Sequence, residues 1–474
     1  MSERNVDVAV IGAGTAGLVA VREIQKANQS FVLIQDGPYG TTCARVGCMP
    51  SKALIQIAHD YHRRTGFDTA GIRGGQHLTI DPPAVLRRVR ELRDRFAGGM
   101  VRKTDRLEPH LLKGRARFIE PTVLEVDGTT IRAQRVVIAT GSRPRVPPEW
   151  QGFGDRIWTS DTIFELDTLP ASVAVIGLGV IGLELGQALA RLGVRVVGVA
   201  RSPHLGGLTD PVVRETAAEL MAGEMTLWRG RPAALAAEGN GLRVTAGDRH
   251  TTVDAVLVAT GRQPNVDDLG LERLDTPLRP DGVPCYDPGT LQVGRLPVFI
   301  AGDANDARPI LHEAWDDGRI AGHNAACETP VCFQRRTPLH VVFSDPNIVM
   351  TGTPFEALPA GSFATGTVAF DHQARALIRN ENAGRLHLYA DLQSGRLLGA
   401  EMCAPAGEHL GHLLAWSIQR GETVTQLLNQ PVYHPVIEEG LREAIEDLAG
   451  AWPAVKQAPV LTPCDPAAMR AEPA

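Results

Sequence analysis

With 474 residues and 43% hydrophobic composition, the chain is long enough for about three domains with cores of their own. Its 48 Lys and Arg against 54 Asp and Glu leave a net charge of −6, which offers no general reason to seek nucleic acid. No uncharged apolar run reaches the ~18 residues of a membrane span, and seven cysteines at irregular spacing do not make a secreted disulfide framework.

The N-terminal residues enter an apolar strand, Val6 to Ile11, without a basic region or a small-residue cleavage site, so a cytoplasmic protein is expected. Gly12-Ala13-Gly14-Thr15-Ala16-Gly17 follows, and Leu18, Val19, Val21 and Ile24 continue an apolar helix face. Strand, glycine turn and helix form a dinucleotide-binding pattern, in which the glycines allow the tight turn and the close approach of a pyrophosphate to the helix N-terminus. The next strand, Phe31 to Ile34, ends at Gln35, where a ribose-binding acid usually stands and where an amide can still bond a ribose hydroxyl.

Cys43 and Cys48 come next, in Gly40-Thr41-Thr42-Cys43-Ala44-Arg45-Val46-Gly47-Cys48-Met49-Pro50-Ser51-Lys52. A disulfide needs Cα atoms within ~7 Å, whereas an undistorted helix holds residues i and i+5 ~8 to 9 Å apart. If the two pair, the helix turn is bent, and Gly47 and Pro50 are residues that permit or impose a bend. In a reducing compartment a persistent disulfide is more often catalytic than structural. The basic run Arg87, Arg88, Arg90, Arg93, Arg95 is threaded at helical spacing by Val85, Val89, Leu92, Phe96 and Met100, which predicts a solvated helix face.

The glycine pattern recurs at Val173 to Glu184, with Gly177, Gly179 and Gly182, so two nucleotide sites are implied. A second echo joins Val137-Ile138-Ala139-Thr140-Gly141-Ser142-Arg143-Pro144 to Leu257-Val258-Ala259-Thr260-Gly261-Arg262-Gln263-Pro264. These repeats predict one nucleotide domain inserted into another, with segments at 1–149, 150–260 and 261–335. The strand ending the second nucleotide pattern reads Val196 to Ala200 and then Arg201. An acid here selects NAD and an arginine accommodates the 2′-phosphate of NADP, so Arg201, with His204 nearby, leaves NADP open beside NAD. Val298 to Ala301 is a buried strand leading to Gly302 and Asp303, which would return the chain to the first domain. Cys327 and Cys332 repeat the spacing of the first pair without its Gly and Pro context and read as structural. From 336 to 450 alternating strands and then helices near 407–420 and 436–449 form a further domain, and 451–474, rich in Ala and Pro, reads as a disordered tail. No cluster of His, Cys and acids has zinc spacing, so no metal site is expected.

Five motifs in order resemble the pyridine nucleotide–disulfide oxidoreductase family, and within it the dihydrolipoamide dehydrogenases: the Gly12 turn, Cys43 and Cys48 with Pro50-Ser51-Lys52, the Gly177 turn, Ala301-Gly302-Asp303, and Tyr433-His434-Pro435-Val436-Ile437-Glu438-Glu439. The resemblance implies an α/β fold: two Rossmann-like domains, for FAD and for NAD(P), plus an α+β dimerisation domain over 336–450. It also implies a Cys43–Cys48 redox disulfide, with Cys48 facing the flavin and Cys43 facing the substrate. His434 would be the acid–base, oriented by Glu439 and supplied by the second subunit of a homodimer. FAD would be held by Gly12, Gly14, Gly17, Gln35, Thr42, Lys52, Gly114, Thr140, Gly141, Ser142, Asp303 and Leu311, with Lys52 paired to Glu184. NAD or NADP would be held by Gly177, Gly179, Gly182, Glu184, Arg201 and Gly261. The chain departs from the family pattern at Thr41, where a second Gly is usual, at Arg45 for Asn, and at Val436 for Thr. Arg45 either lowers the Cys43 pKa or projects to solvent.

The implied activity is oxidation of dihydrolipoamide or a related dithiol with NAD(P)⁺, with a 2-oxo acid dehydrogenase-type multienzyme complex as a partner. The alternatives are an NADPH-dependent disulfide or mercuric-type reductase, although the C-terminal adjacent cysteine pair of mercuric reductases is reduced here to the isolated Cys464. A reading from another class is a flavoprotein docking subunit or redox sensor with little turnover.

Overall fold

The first eleven residues set the architecture, because alternate side chains of the strand Ser2–Ile11 are buried on opposite faces of one sheet. The computed structural model describes residues 2–453, Val455 and Leu461. Most of the tail expected over 451–474, with Cys464, therefore lies outside the described residues.

The chain divides into two compact units, the first made of Met1–Ile57, Asp81–Leu169 and Val258–Arg335. At its centre Ser2–Ile11 pairs in parallel with Phe31–Gln35 and with Thr129–Ile138, and Val298–Ile300 adds in parallel to the latter. Val8 lies opposite Phe31 on one side and Arg135 on the other. Val8, Val10, Leu33 and Val137 face the helices Thr15–Lys26 and Leu311–Ala326, while Ala9, Ile11, Ile34 and Ile138 pack on the opposite face with Leu271, Leu274 and Val283. The two helices cross at glycines: a Cβ on Gly318 would stand 2.4 Å from Ala16 O, and one on Gly322 would stand 2.6 Å from Ala20 O. The echoed turns Ser142–Pro144 and Arg262–Pro264 pair with each other as an antiparallel ribbon.

The basic run falls on the helix Pro82–Asp105, N-capped by Asp81, and Arg87, Arg88 and Arg95 are exposed as expected, but Arg90 and Arg93 need correction. Arg90 donates to the carbonyls of Phe164 (3.2 Å) and Leu166 (2.7 Å), and Arg93 bonds Glu165 (2.5 Å) and Asp94. Phe96, expected on the apolar face, is exposed.

The second unit comprises Ala58–Ile80, Pro170–Leu257 and the described residues from Arg336 on. Thr226–Arg229, Arg195–Ala200 and Ser172–Ile176 pair in parallel in that order, and Ala255–Val258 flanks Ser172–Ile176 on its other side. A five-stranded antiparallel sheet runs Leu339–Val342, Asn347–Gly352, Leu397–Ala404, Arg385–Asp391, Phe363–Ala369. The helices Gly407–Arg420 and Glu438–Ala449 supply Leu410, Leu414, Leu441, Ile445 and Leu448 to its core. A buried polar hub joins this sheet to the helix Pro211–Ala222. Asp210, the N-cap of that helix, bonds His387 Nδ1 (2.8 Å) and accepts from Tyr389 OH (2.9 Å). Fully buried Glu401 accepts the backbone N–H groups of Thr209 (2.7 Å), Asp210 (2.8 Å) and Phe355 (3.0 Å).

Candidate active site

At the first glycine turn, Gly12 has φ +109 and a Cβ there would stand 2.2 Å from Ala139 O, while a Cβ on Gly17 would stand 1.8 Å from Gly12 O. The polypeptide itself excludes side chains at both. Gly14 differs, because a Cβ there meets nothing within 4 Å, and Gly14 begins the helix Thr15–Lys26 without a side-chain cap. Open space before uncapped N–H groups is what a pyrophosphate fills. Next to Gly12, Thr140 Oγ1 is buried with no hydrogen-bond partner among the described residues, an orphan of the kind a bound ligand satisfies. Gly141, at φ +70, also faces open space.

The second turn repeats this geometry. A Cβ on Gly182 would stand 1.8 Å from Gly177 O, whereas Gly179 is open and begins the helix Val180–Arg191 without a side-chain cap. Buried Glu184, inside that helix, accepts the backbone N–H of Phe343 (3.1 Å). Arg201 is exposed just past the strand Arg195–Ala200 and makes no ion pair among the described residues. Gly261, in the echo, has φ +109 and open space beside it.

Gln35 turns back onto the first glycine turn. Its Oε1 accepts from Ala13 N–H (2.6 Å) and its Nε2 donates to Asp36 O (2.7 Å). Gly114 N–H donates to Gln35 O (3.1 Å), and Leu311 opens the helix Leu311–Ala326 with its side chain partly exposed. Asp303 lies in the turn Gly302–Asn305, where its Oδ2 accepts from Ser142 Oγ (2.6 Å) and Ser142 Oγ accepts from Arg262 Nε (2.7 Å).

The cysteine segment is two helices, Thr42–Val46 and Cys48–His62, broken at Gly47 (φ −123, ψ −115). A Cβ on Gly47 would stand 3.2 Å from Cys43 Cα, so glycine lets the chain fold over the first cysteine. Gly47 supplies the break, and Pro50, in the first turn of the second helix, has no N–H to carry the first helix's bonding past Val46. Thr41, standing where the family has Gly, adopts φ +58 and ψ 146, a conformation costing a non-glycine residue of order 1–3 kcal/mol. Its hydroxyl offsets part of that by capping the Ala44 N–H (3.3 Å). Arg45 is half-buried with its stem over Gly40, where a Cβ would stand 3.2 Å from Arg45 Cδ.

Cys43 and Cys48 are both partly buried. The Cys43 thiol is held above its ordinary range, first by its side-chain hydrogen bond with Cys48 and then by burial; the Cys48 backbone N–H and the Lys52 charge pull the other way. In the second unit His434 Nδ1 lies 2.8 Å from Glu439 Oε1, and Glu439 Oε2 also accepts Val436 N–H (3.1 Å). The bond from His434 holds the Glu439 carboxyl below its usual range. Glu439 thus fixes the ring through Nδ1. The His434 side chain is 75% exposed, so within one subunit this base faces outward. Cys327 lies 3.6 Å from His323 Nε2 and Cys332 is exposed; both are free.

Residues 6–322 match the model for pyridine nucleotide-disulphide oxidoreductases, and residues 339–445 match the dimerisation domain of the same family. The chain belongs to this family. It is 33% identical to a mercuric reductase of Shigella flexneri over 93% of this chain and 80% of the relative. It is 31% identical to a dihydrolipoyl dehydrogenase of Haloferax volcanii over 94% and 96%. Among solved structures it is similar to LpdA of Mycobacterium tuberculosis, at 25% identity and TM-score 0.82 over 94% of this chain and 99% of that one. The flavoprotein disulfide reductase RclA of Escherichia coli shares the fold at TM-score 0.81 and 22% identity, over 95% and 100%.

The family's cofactors are FAD and NAD(P), its fold is two Rossmann-like domains with a C-terminal dimerisation domain, and the chain is an oxidoreductase acting on sulfur groups. The two glycine turns and the orphan Thr140 hydroxyl fit dinucleotides of this kind. Gly14→Ala separates cofactor binding from folding, because the new methyl meets no protein atom but stands where the pyrophosphate must approach. The expected product is a folded, colourless protein whose melting temperature matches that of wild-type apoprotein. A yellow Gly14→Ala protein with bound FAD would remove this turn from the cofactor site.

Sequence reasoning missed Arg262, although its place in the second echo matches Ser142 in the first, and the two now bond each other. It also missed Asp317, which is 3% exposed and accepts Gly302 N–H (2.9 Å) and Asn305 Nδ2 (2.7 Å) on Oδ2 and the Arg335 guanidinium on Oδ1. Among the described residues no group of three or more His, Cys, Asp or Glu could hold a metal ion, and no helix is long and apolar enough to cross a membrane.

Proposed function

We propose that this flavoprotein oxidises dihydrolipoamide, or a related small dithiol, with NAD(P)⁺ through a Cys43–Cys48 disulfide. The observation that carries the reading is the pair of cysteines hydrogen-bonded to each other across the Gly47 break. In the oxidised enzyme a substrate thiolate attacks Cys43 Sγ, forming a mixed disulfide and releasing Cys48 as thiolate. The second substrate thiolate attacks the substrate sulfur of that bond, closing lipoamide and releasing Cys43. His434 of the partner subunit takes the substrate's two thiol protons in turn on Nε2, passing the first to solvent before it accepts the second, and is steadied by its own Glu439. FAD, when bound, supplies the two-electron path from the dithiol to the nicotinamide. Dimerisation is part of this reading, since His434 faces outward from its own subunit, and a 2-oxo acid dehydrogenase-type complex would be the setting for such a dehydrogenase.

A second reading, an NADPH-dependent disulfide or mercuric-type reductase, is favoured by Arg201, an exposed cation with no ion pair among the described residues, where NAD-selective domains carry an acid. Steady-state oxidation of dihydrolipoamide with NAD⁺ and NADP⁺ side by side tests both. Efficient turnover is expected, and the better acceptor identifies the nucleotide. A yellow protein reduced by NADPH but inert to dihydrolipoamide would overturn the first reading in favour of the second.

A further inference from the structure

We infer that Asp317 is a positioning residue for FAD, acting through the turn Gly302–Asn305 to aim Asp303 at the cofactor. The inference rests on the assignment of Asp303 as a cofactor-binding acid. Asp303 accepts one hydrogen bond, from Ser142, on Oδ2, which leaves its Oδ1 without a partner among the described residues. Its direction is set by that bond, with Arg262 Nε 3.9 Å from the same oxygen, and by the backbone that carries it. Asp317 holds both ends of the turn, the backbone at one and a side chain at the other: Oδ2 accepts the Gly302 N–H at 2.9 Å and the Asn305 side-chain N–H at 2.7 Å. Gly302 has φ +68 and a Cβ there would stand 3.0 Å from Ala16 Cβ, so the turn is pressed against the first residues of the helix that begins at the Gly14 opening.

The grip is itself braced. Arg335 spans Asp317 and Glu313, reaching Glu313 Oε2 at 2.8 Å, and Arg308 holds Glu313 Oε1 at 3.0 Å. Asp317 and Glu313 are 3% and 4% exposed, so two carboxylates have been taken out of water on one helix turn beside the cofactor-binding helix. Burial pushes the Asp317 carboxyl up and Arg335 draws it back down. Buried charges of this sort stabilise little compared with apolar packing, and their best-attested use is to specify one arrangement. Here the arrangement specified is that of the Asp303 turn.

The chemistry of the grip dictates the variant. Every partner of Asp317 is a donor, so an amide, with one oxygen and one NH₂, cannot satisfy both sides. Asp317→Asn keeps the shape and is expected to raise the FAD dissociation constant of the apoprotein by about tenfold, the worth of a hydrogen bond lost or misaligned. Arg335→Lys, at a more accessible position, keeps the charge but loses the fork, and should loosen FAD a few-fold in the same direction.

The deciding measurement is a double-mutant cycle on FAD affinity, read by titrating FAD into apoprotein. If Asp317 works by aiming Asp303, neither Asp317→Asn nor Arg335→Lys weakens FAD further once Asp303→Asn is present. Equal weakening in both backgrounds, or a lower apoprotein melting temperature with unchanged FAD affinity, would overturn the inference and leave Asp317 a structural residue. Unchanged affinity in Asp303→Asn alone would instead remove Asp303 from the cofactor site, and the inference with it. Should Asp317→Asn not fold, the Arg335→Lys cycle distinguishes the same outcomes.

Discussion

Cys43→Ser is expected to give a folded, yellow protein that NAD(P)H still reduces but that no longer turns over any dithiol, with activity down by about 10³-fold or more, as for loss of a nucleophile. Serine fits the site, since it keeps the size of the thiol and can keep a hydrogen bond with Cys48 across the Gly47 break. What it cannot do is form a sulfur–sulfur bond, so neither the enzyme disulfide nor the mixed disulfide exists in this variant. Flavin content and nicotinamide reduction test the cofactor sites, and dihydrolipoamide turnover tests the cysteine. Retained turnover would show that electrons bypass the pair.

The second large effect is expected at His434. His434→Gln should lower turnover by ~10² to 10⁴, the usual contribution of a positioned acid–base, with FAD content and dimer formation unchanged. The need for a base comes from the substrate: each of its thiols must lose a proton before its sulfur can attack, first Cys43 and then the mixed disulfide. His434 is anchored through Nδ1 to Glu439 at 2.8 Å and contributes nothing to the apolar core, so its removal should not disturb folding. Wild-type turnover in His434→Gln, measured by steady-state kinetics, would take this histidine out of the mechanism.

These residues were legible in the sequence because their constraints are local. A glycine turn announces itself where backbone must pass within contact of backbone, as at Gly12 and Gly17, and the Cys43–Cys48 spacing announces a broken helix that Gly47 then provides. His434 and Glu439 are five residues apart, close enough to be read as a pair. The illegible parts are long-range and charged. Asp317 and Arg335 stand 18 residues apart with nothing in the sequence between them to announce a pairing, yet they are joined beside the Asp303 turn. Arg90 and Arg93 read as solvent-facing for the same reason, because nothing near them in the chain reveals Phe164, Glu165 or Leu166. Gln35 shows a third limit: residue type suggested a ribose, and the fold also uses its amide to close the glycine turn.

The hub of Asp210, His387, Tyr389 and Glu401 bears on how far such proteins can be treated as interchangeable modules. Grafting residues 170–257 from a relative would import a new helix N-terminus onto an old sheet, and the two are matched by donors and acceptors 177 to 192 positions apart. A graft that brought Asp210 to a sheet without His387 would strand a buried carboxylate, at about 3–5 kcal/mol, whereas Glu401 is held by backbone N–H groups that a grafted segment also supplies. Chimeras intended to change nucleotide preference therefore need both halves of this hub exchanged together.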